Sequence, residues 1–215
     1  MLLTTPSKVL GLAGITPSSG ALTHATLAIA QTLPVIEGLL ETALVRQTWR
    51  DYFNYHGRPY RDDRRTLPAL RLAHRYLVGS VVLRESEEGA PLVGAAGQVV
   101  ASDEYLLNTE QGILTLLQPR PHGYATLSVL YTAGFTVGED DVLQNIPDWL
   151  EKAGIIGALY ILNSQPSQPA NRRQATVATV MRELRRQLYT ALAPNFRQRP
   201  VLIEAPAGTE AITDG

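Results

Sequence analysis

The sequence predicts an α+β fold that is mainly helical: a helix bundle with an inserted small antiparallel β-sheet and an extended C-terminal arm. Three observations predict it. Apolar residues recur at the helical period near both ends of the chain. Between them, stretches that alternate polar and large groups are separated by glycine and proline turns. The last residues hold too little apolar content to bury a core alone. In boundaries, residues 1–194 make one domain, with helices over about 5–12, 21–44, 147–163 and 171–192 and a β-rich insertion over about 45–135, and residues 195–215 make the arm.

Thr5-Pro6 starts the first helix, because a hydroxyl can cap free amides and proline sits where its missing N–H costs nothing. Gly14 to Gly20 reads as a turn. Leu22, Ile29, Leu33, Ile36 and Leu40 then fall on one helical face, with a kink or break expected at Pro34. From Val45 the pattern changes, and Gln47-Thr48-Trp49-Arg50-Asp51-Tyr52-Phe53 reads as a half-buried strand. Strand-like stretches follow at Leu70 to Leu83, Gln98 to Val100, Gly112 to Leu117 and Thr126 to Tyr131. Gly89-Ala90-Pro91, Gly94-Ala95-Ala96-Gly97 and Pro119 to Gly123 serve as turns between them. After Asn145-Ile146-Pro147 a helix returns, with Asp148 and Glu151 at its positive end and Ala153, Gly154, Gly157 and Ala158 allowing close approach from several sides. It is expected to be the most buried helix. The loop Ser164 to Pro169 precedes a last helix bearing Val177, Val180, Met181, Leu184 and Leu188 on one face.

A net charge of -1 over 215 residues provides no whole-chain attraction to nucleic acid or acidic membranes. The chain has no cysteine, which removes disulfides, thiolate metal sites and cysteine nucleophiles together. It lacks a basic segment followed by an apolar one at the N-terminus, and no apolar run reaches roughly 18 residues, so the reading is a soluble, unprocessed chain.

Catalytic signatures are sparse. His24, His56, His74 and His122 never pair at helical ligand spacing, and no nucleophile elbow or phosphate-binding glycine loop occurs. Glu85, Glu87, Glu88, Asp103 and Glu104, or Glu139-Asp140-Asp141, could supply paired carboxylates but read better as solvated loops. The reading is therefore no enzyme, no metal and no cofactor. Charge placement is more informative. Between Asn171 and Arg199, seven arginines against one acid give +6, which with a net charge of -1 leaves -7 elsewhere. Arg182, Arg185 and Arg186 cluster beside the apolar stripe, and three readings stay open: a solvated face, pairing with acidic loops of a neighbouring subunit, or DNA phosphates. A second basic group, Arg58, Arg61, Arg64 and Arg65, is interleaved with acids and reads as a loop.

The run Val45-Arg46-Gln47-Thr48-Trp49 after the long helix, the stretch Leu127 to Phe135 ending in Tyr131-x-Ala133-Gly134-Phe135, and Ile146-Pro147 opening a helix occur in an order that resembles the head-tail connector adaptor family of tailed bacteriophages. The resemblance covers about residues 1–163. It implies a virion structural protein of the neck: a homo-oligomeric ring, twelve subunits to match the portal, that connects the DNA-filled head to the tail and lets DNA pass. Implied partners are the portal protein, a tail-side neck or tail protein and, non-specifically, the passing DNA; no membrane is involved, and assembly takes place in the host cytoplasm. Extensions of such proteins commonly dock on neighbours or on the portal, so Val201, Leu202 and Ile203 are assigned as apolar anchors on the portal, and Arg182, Arg185 and Arg186 to the DNA channel or the inter-subunit contact. The chain departs from the family in its long sheet region and in the arginine-rich final helix with its tail. Alternatives are another neck component, a stopper or tail-completion protein, and a nucleic-acid-binding regulator.

Overall fold

The computed structural model describes residues 1–56, 69–86, 97–117, 124–163, 182–183, 185–190, 192, 203–204 and 206–212. They fall into two compact units: residues 1–41 with 135–197, and residues 42–134 with 198–215.

The first unit is helical. Helix α1 (Pro6–Leu12) begins after Thr5, whose hydroxyl makes no capping bond, so Pro6 at the first helical position sets the start. Helix α2 (Ser19–Leu40) is capped by Ser18, whose side chain accepts from the Ala21 N–H at 3.2 Å. It ends at Glu41, in the left-handed region with φ 51° and its N–H returned to the Glu37 carbonyl, four residues short of the expected end near residue 44. The helix runs through Pro34 without a break: the proline lies on the exposed side, and the cost is confined to one missing backbone bond and local crowding. Helix α3 (Asp148–Asn163) buries seven of its sixteen residues, a larger share than α2 does. Its small residues are used inside the unit. A Cβ at Gly154 would lie 2.7 Å from the Leu3 Cβ, and one at Gly157 would collide with the Thr32 side chain. Leu3, Val9, Leu10, Ile29, Ile36 and Leu150 fill the space between the helices at 1% exposure or less, and each such side chain removed from water contributes roughly 1.5–3 kcal/mol. Leu2 bridges to Val142, donating its N–H to the Asp141 carbonyl at 2.7 Å and accepting from Leu143 at 2.8 Å. Of the expected last helix, residues 171–181 lie outside the described residues; residues 182–183 and 185–190 are helical, and Leu188 and Leu192 are fully buried.

The second unit corrects the expected fold class. It holds strands β1 (Gln47–His56), β2 (Ala69–Arg71), β3 (Leu77–Glu85), β4 (Gln98–Val99), β5 (Tyr105–Asn108), β6 (Ile113–Leu116), β7 (Tyr124–Ala133), β8 (Ile203–Glu204) and β9 (Gly208–Ile212). They form a five-stranded sheet in the order β4-β3-β7-β1-β9 and a four-stranded sheet in the order β5-β6-β2-β8. All neighbours are antiparallel except β2 and β8. The chain is thus α+β with helix and strand in comparable measure, not a mainly helical bundle carrying a small sheet. The reason is a core within the second unit: Phe53, Leu70, Leu83, Leu114, Leu116, Leu127 and Val129 on its strands are fully buried. The arm is not simply extended either, since its residues 203–204 and 208–212 close one edge of each sheet.

Candidate functional site

Part of the set that carries the sequence resemblance, Trp49, Tyr131, Ala133 and Gly134, meets at one place. In the β1–β7 ladder Trp49 stands opposite Tyr131 and Gln47 opposite Ala133. Gly134 follows with φ 98°, and a Cβ there would lie 2.5 Å from the Val45 carbonyl oxygen, so the position demands glycine both by conformation and by space. The motif builds the junction of these two strands.

Beneath it lies a buried polar network. Asp51 points inward between Trp49 and Phe53 and is fully buried. Its Oδ2 accepts from the Tyr131 hydroxyl at 2.9 Å and from the Ala73 N–H at 2.6 Å. The same hydroxyl accepts from the His74 N–H at 3.1 Å, and Thr42 Oγ1 accepts from the Arg75 N–H at 3.1 Å. Three consecutive backbone amides, 73 to 75, are therefore held by side chains instead of by a ladder. This splits the expected single strand Leu70 to Leu83 into β2 and β3. His74 Nδ1 in turn accepts from the Ala43 N–H at 3.0 Å, and its ring lies 3.9 Å from that of Trp49. The turn continues through Tyr76 at φ 62°, with the Arg75 guanidinium carbon 5.0 Å from the Tyr76 ring centroid. Burial pulls the Arg75 guanidinium below its ordinary pKa, with Tyr76 opposing that shift and Arg71 adding to it. Sequence reading missed Asp51, Thr42 and His74 as a set. An acid at an inward position of an alternating strand was the available signal for Asp51; the other two come from distant segments and had none.

The predicted site residues are placed as follows. Arg182, Arg185 and Arg186 are exposed, beside the buried Leu188 and Leu192. Arg186 is paired with Glu183, which lowers the Glu183 pKa and raises that of Arg186. Tyr189, 57% exposed, completes a stripe at spacing i, i+3, i+4 and i+7 that the sequence reading did not include. Val201 and Leu202 lie outside the described residues, as do Arg58, Arg61, Arg64, Arg65, Glu87, Glu88 and His122. Ile203 is in β8, opposite Ala69. Glu139, Asp140 and Asp141 are exposed in the turn before α3. Among the described residues no group of three or more His, Cys, Asp or Glu could hold a metal ion, and no helix is long and apolar enough to cross a membrane.

No family model and no curated protein matches the chain. Several solved structures are similar to it, among them three from gene transfer agent particles. One is from the neck of an empty gene transfer agent (GTA) particle computed with C6 symmetry, with 14% identity, 78% of this chain and 82% of that chain covered and a TM-score of 0.45. A second is from the virion of the native GTA particle, with 17% identity, coverage of 84% and 88% and a TM-score of 0.42. The third is from the neck of the native particle computed with C12 symmetry, with 21% identity, coverage of 79% and 87% and a TM-score of 0.37. Likeness at this level leaves function to be argued from the chain's own residues.

Proposed function

We propose that this chain is a non-catalytic structural protein of the neck of a phage-like particle: a head-to-tail adaptor whose copies form a ring, twelve to match the portal, that joins the DNA-filled head to the tail and lets DNA pass. The ordered set Trp49, Tyr131-x-Ala133-Gly134-Phe135 and Ile146-Pro147 carries the reading. Its support comes from those residues and not from the likeness to GTA chains. Trp49, Tyr131 and Gly134 build one strand junction in the second unit, so the resemblance falls on residues that shape the fold. Within such a ring, exposed Arg182 and Arg185 meet either acidic groups of a neighbouring copy or the phosphates of passing DNA. Val201, Leu202 and Ile203 contact the portal, and assembly takes place in the host cytoplasm.

The two glycines of α3 are spent against Leu3 and Thr32, and its two small alanines, Ala153 and Ala158, are buried, so these residues do not supply a subunit face. A ring contact must come from elsewhere on the surface. The high strand content favours a second reading, a stopper or tail-completion protein, since sheet dominates in such neck components.

Native mass spectrometry with negative-stain imaging, on the chain alone and mixed with its portal, tests the proposal. The expected result is a ring capping the portal. A monomer indifferent to portal overturns the adaptor reading, and binding only to a portal already carrying another ring selects the stopper.

A further inference from the structure

The C-terminal residues contribute two edge strands. Strand β8 pairs with β2 at one end of the four-stranded sheet, and β9 pairs with β1 at one end of the five-stranded sheet. None of the β9 residues belongs to the buried core cluster, whose described members run from Phe53 to Ala133. Four of the five β9 residues are exposed and the fifth is half-buried. What holds β9 is its ladder to β1, continued by the Ala207 N–H to the Tyr52 carbonyl at 2.7 Å, and one side chain: Glu210 accepts from Arg50 at 3.1 Å and from the Tyr52 hydroxyl at 2.8 Å.

A strand with these properties is separable. Its removal uncovers the edge of β1, a row of backbone donors and acceptors flanked by Arg50 and Tyr52 that matches the β9 sequence itself. Any copy of the chain carries that peptide. We propose that in the assembled ring the C-terminal strands of one copy, β8 together with β9, pair with β2 and β1 of the next in the registers seen here, so that each subunit completes its neighbour's sheets. The exchange replaces one set of bonds by an identical set, so its direct cost is small, and ring closure supplies a neighbour at high local concentration. It also gives two different faces, a donor strand and an acceptor edge, as a head-to-tail ring requires. This inference rests on the ring reading above.

Because the chain has no cysteine, single introduced thiols report the pairing directly. Thr48 and Ile212 are cross-strand partners, and such partners have Cα atoms about 4.5–5.5 Å apart, within disulfide range. A Thr48→Cys chain and an Ile212→Cys chain are mixed, assembled under reduction and then oxidised; a chain carrying both substitutions is treated in parallel. Exchange predicts a disulfide-linked dimer holding one chain of each kind in the mixture, and a ladder of linked chains from the double variant. A mixture without that dimer, beside a double variant that closes only on itself, overturns the proposal. Native mass spectrometry of the same samples separates the two ideas: a ring without mixed disulfides sinks the exchange alone, whereas mixed disulfides without a ring support exchange and sink the ring.

Discussion

At the scale of single residues, the Tyr131 hydroxyl is the member of the buried network that joins two partners, accepting from His74 and donating to Asp51. Tyr131→Phe keeps the ring and its packing but leaves a buried carboxylate oxygen and a buried amide short of one partner. Unsatisfied groups of this kind cost about 1–3 kcal/mol. Urea unfolding should show a loss in that range with an unchanged slope; an unchanged midpoint would mean that the network does not hold the turn. Tyr131 was visible in the sequence as part of a motif, but its role was not, because the motif's neighbours say nothing of Asp51, 80 positions away. Gly134 is the contrasting case. Its need for glycine arises from the Val45 carbonyl across the junction, a contact that no local pattern encodes.

At the scale of elements, α1 is tied to α3 at the exposed rim of their interface, where Lys8 Nζ lies 2.7 Å from Glu151 Oε1 and the Thr4 hydroxyl donates to the same oxygen at 3.0 Å. The hydrogen bond from Lys8 is the largest influence on the Glu151 carboxyl; burial opposes it, and the hydrogen bond from Thr4 and the charge of Lys8 add to it, leaving the carboxyl below its ordinary 4.5. A carboxylate whose pKa is lower folded than unfolded stabilises the fold above the unfolded value and loses that contribution as pH falls through the folded one. Thermal melts should therefore lose stability below pH 4.5. With Lys8 49% exposed, screening limits the pair to under about 1 kcal/mol. Glu151→Gln should remove this part of the acid-side slope, and a slope identical in both chains would show that the pair contributes nothing. The helices themselves were legible from periodicity and proline, which are local signals. Strands β5, β8 and β9 were not. Gly-Thr-Glu-Ala-Ile has neither alternation nor strong strand preference, and it becomes a strand because the β1 edge templates it.

At the scale of the whole molecule, charge separation is the property that bears on assembly. Arg182 and Arg185 are exposed, while Glu139, Asp140 and Asp141 are exposed in the turn ahead of α3. If the arginines pair with acids of a neighbouring copy, Arg182→Glu with Arg185→Glu should convert the ring to single subunits without changing the circular dichroism of the fold, and raised salt should weaken the native ring in the same direction. A ring of unchanged mass would move the arginines to the channel, where weakened retention of DNA in the filled head becomes the readout.

By itself the sequence determined that the chain is cysteine-free and nearly neutral, that helices flank a strand-rich middle, and that an arginine-rich segment carries an opposite charge to the rest. Each follows from composition or from neighbours three or four positions apart. Only the tertiary structure decided that the strands form two sheets with their own core, that the turn after β2 is pinned by Asp51, Tyr131 and Thr42, that Gly154 and Gly157 of α3 are consumed by Leu3 and Thr32, and that residues 208–212 return to β1. Those features depend on groups brought together from far along the chain, and a side chain's partner across such a distance is chosen by packing and hydrogen-bond satisfaction, which leave no periodic mark.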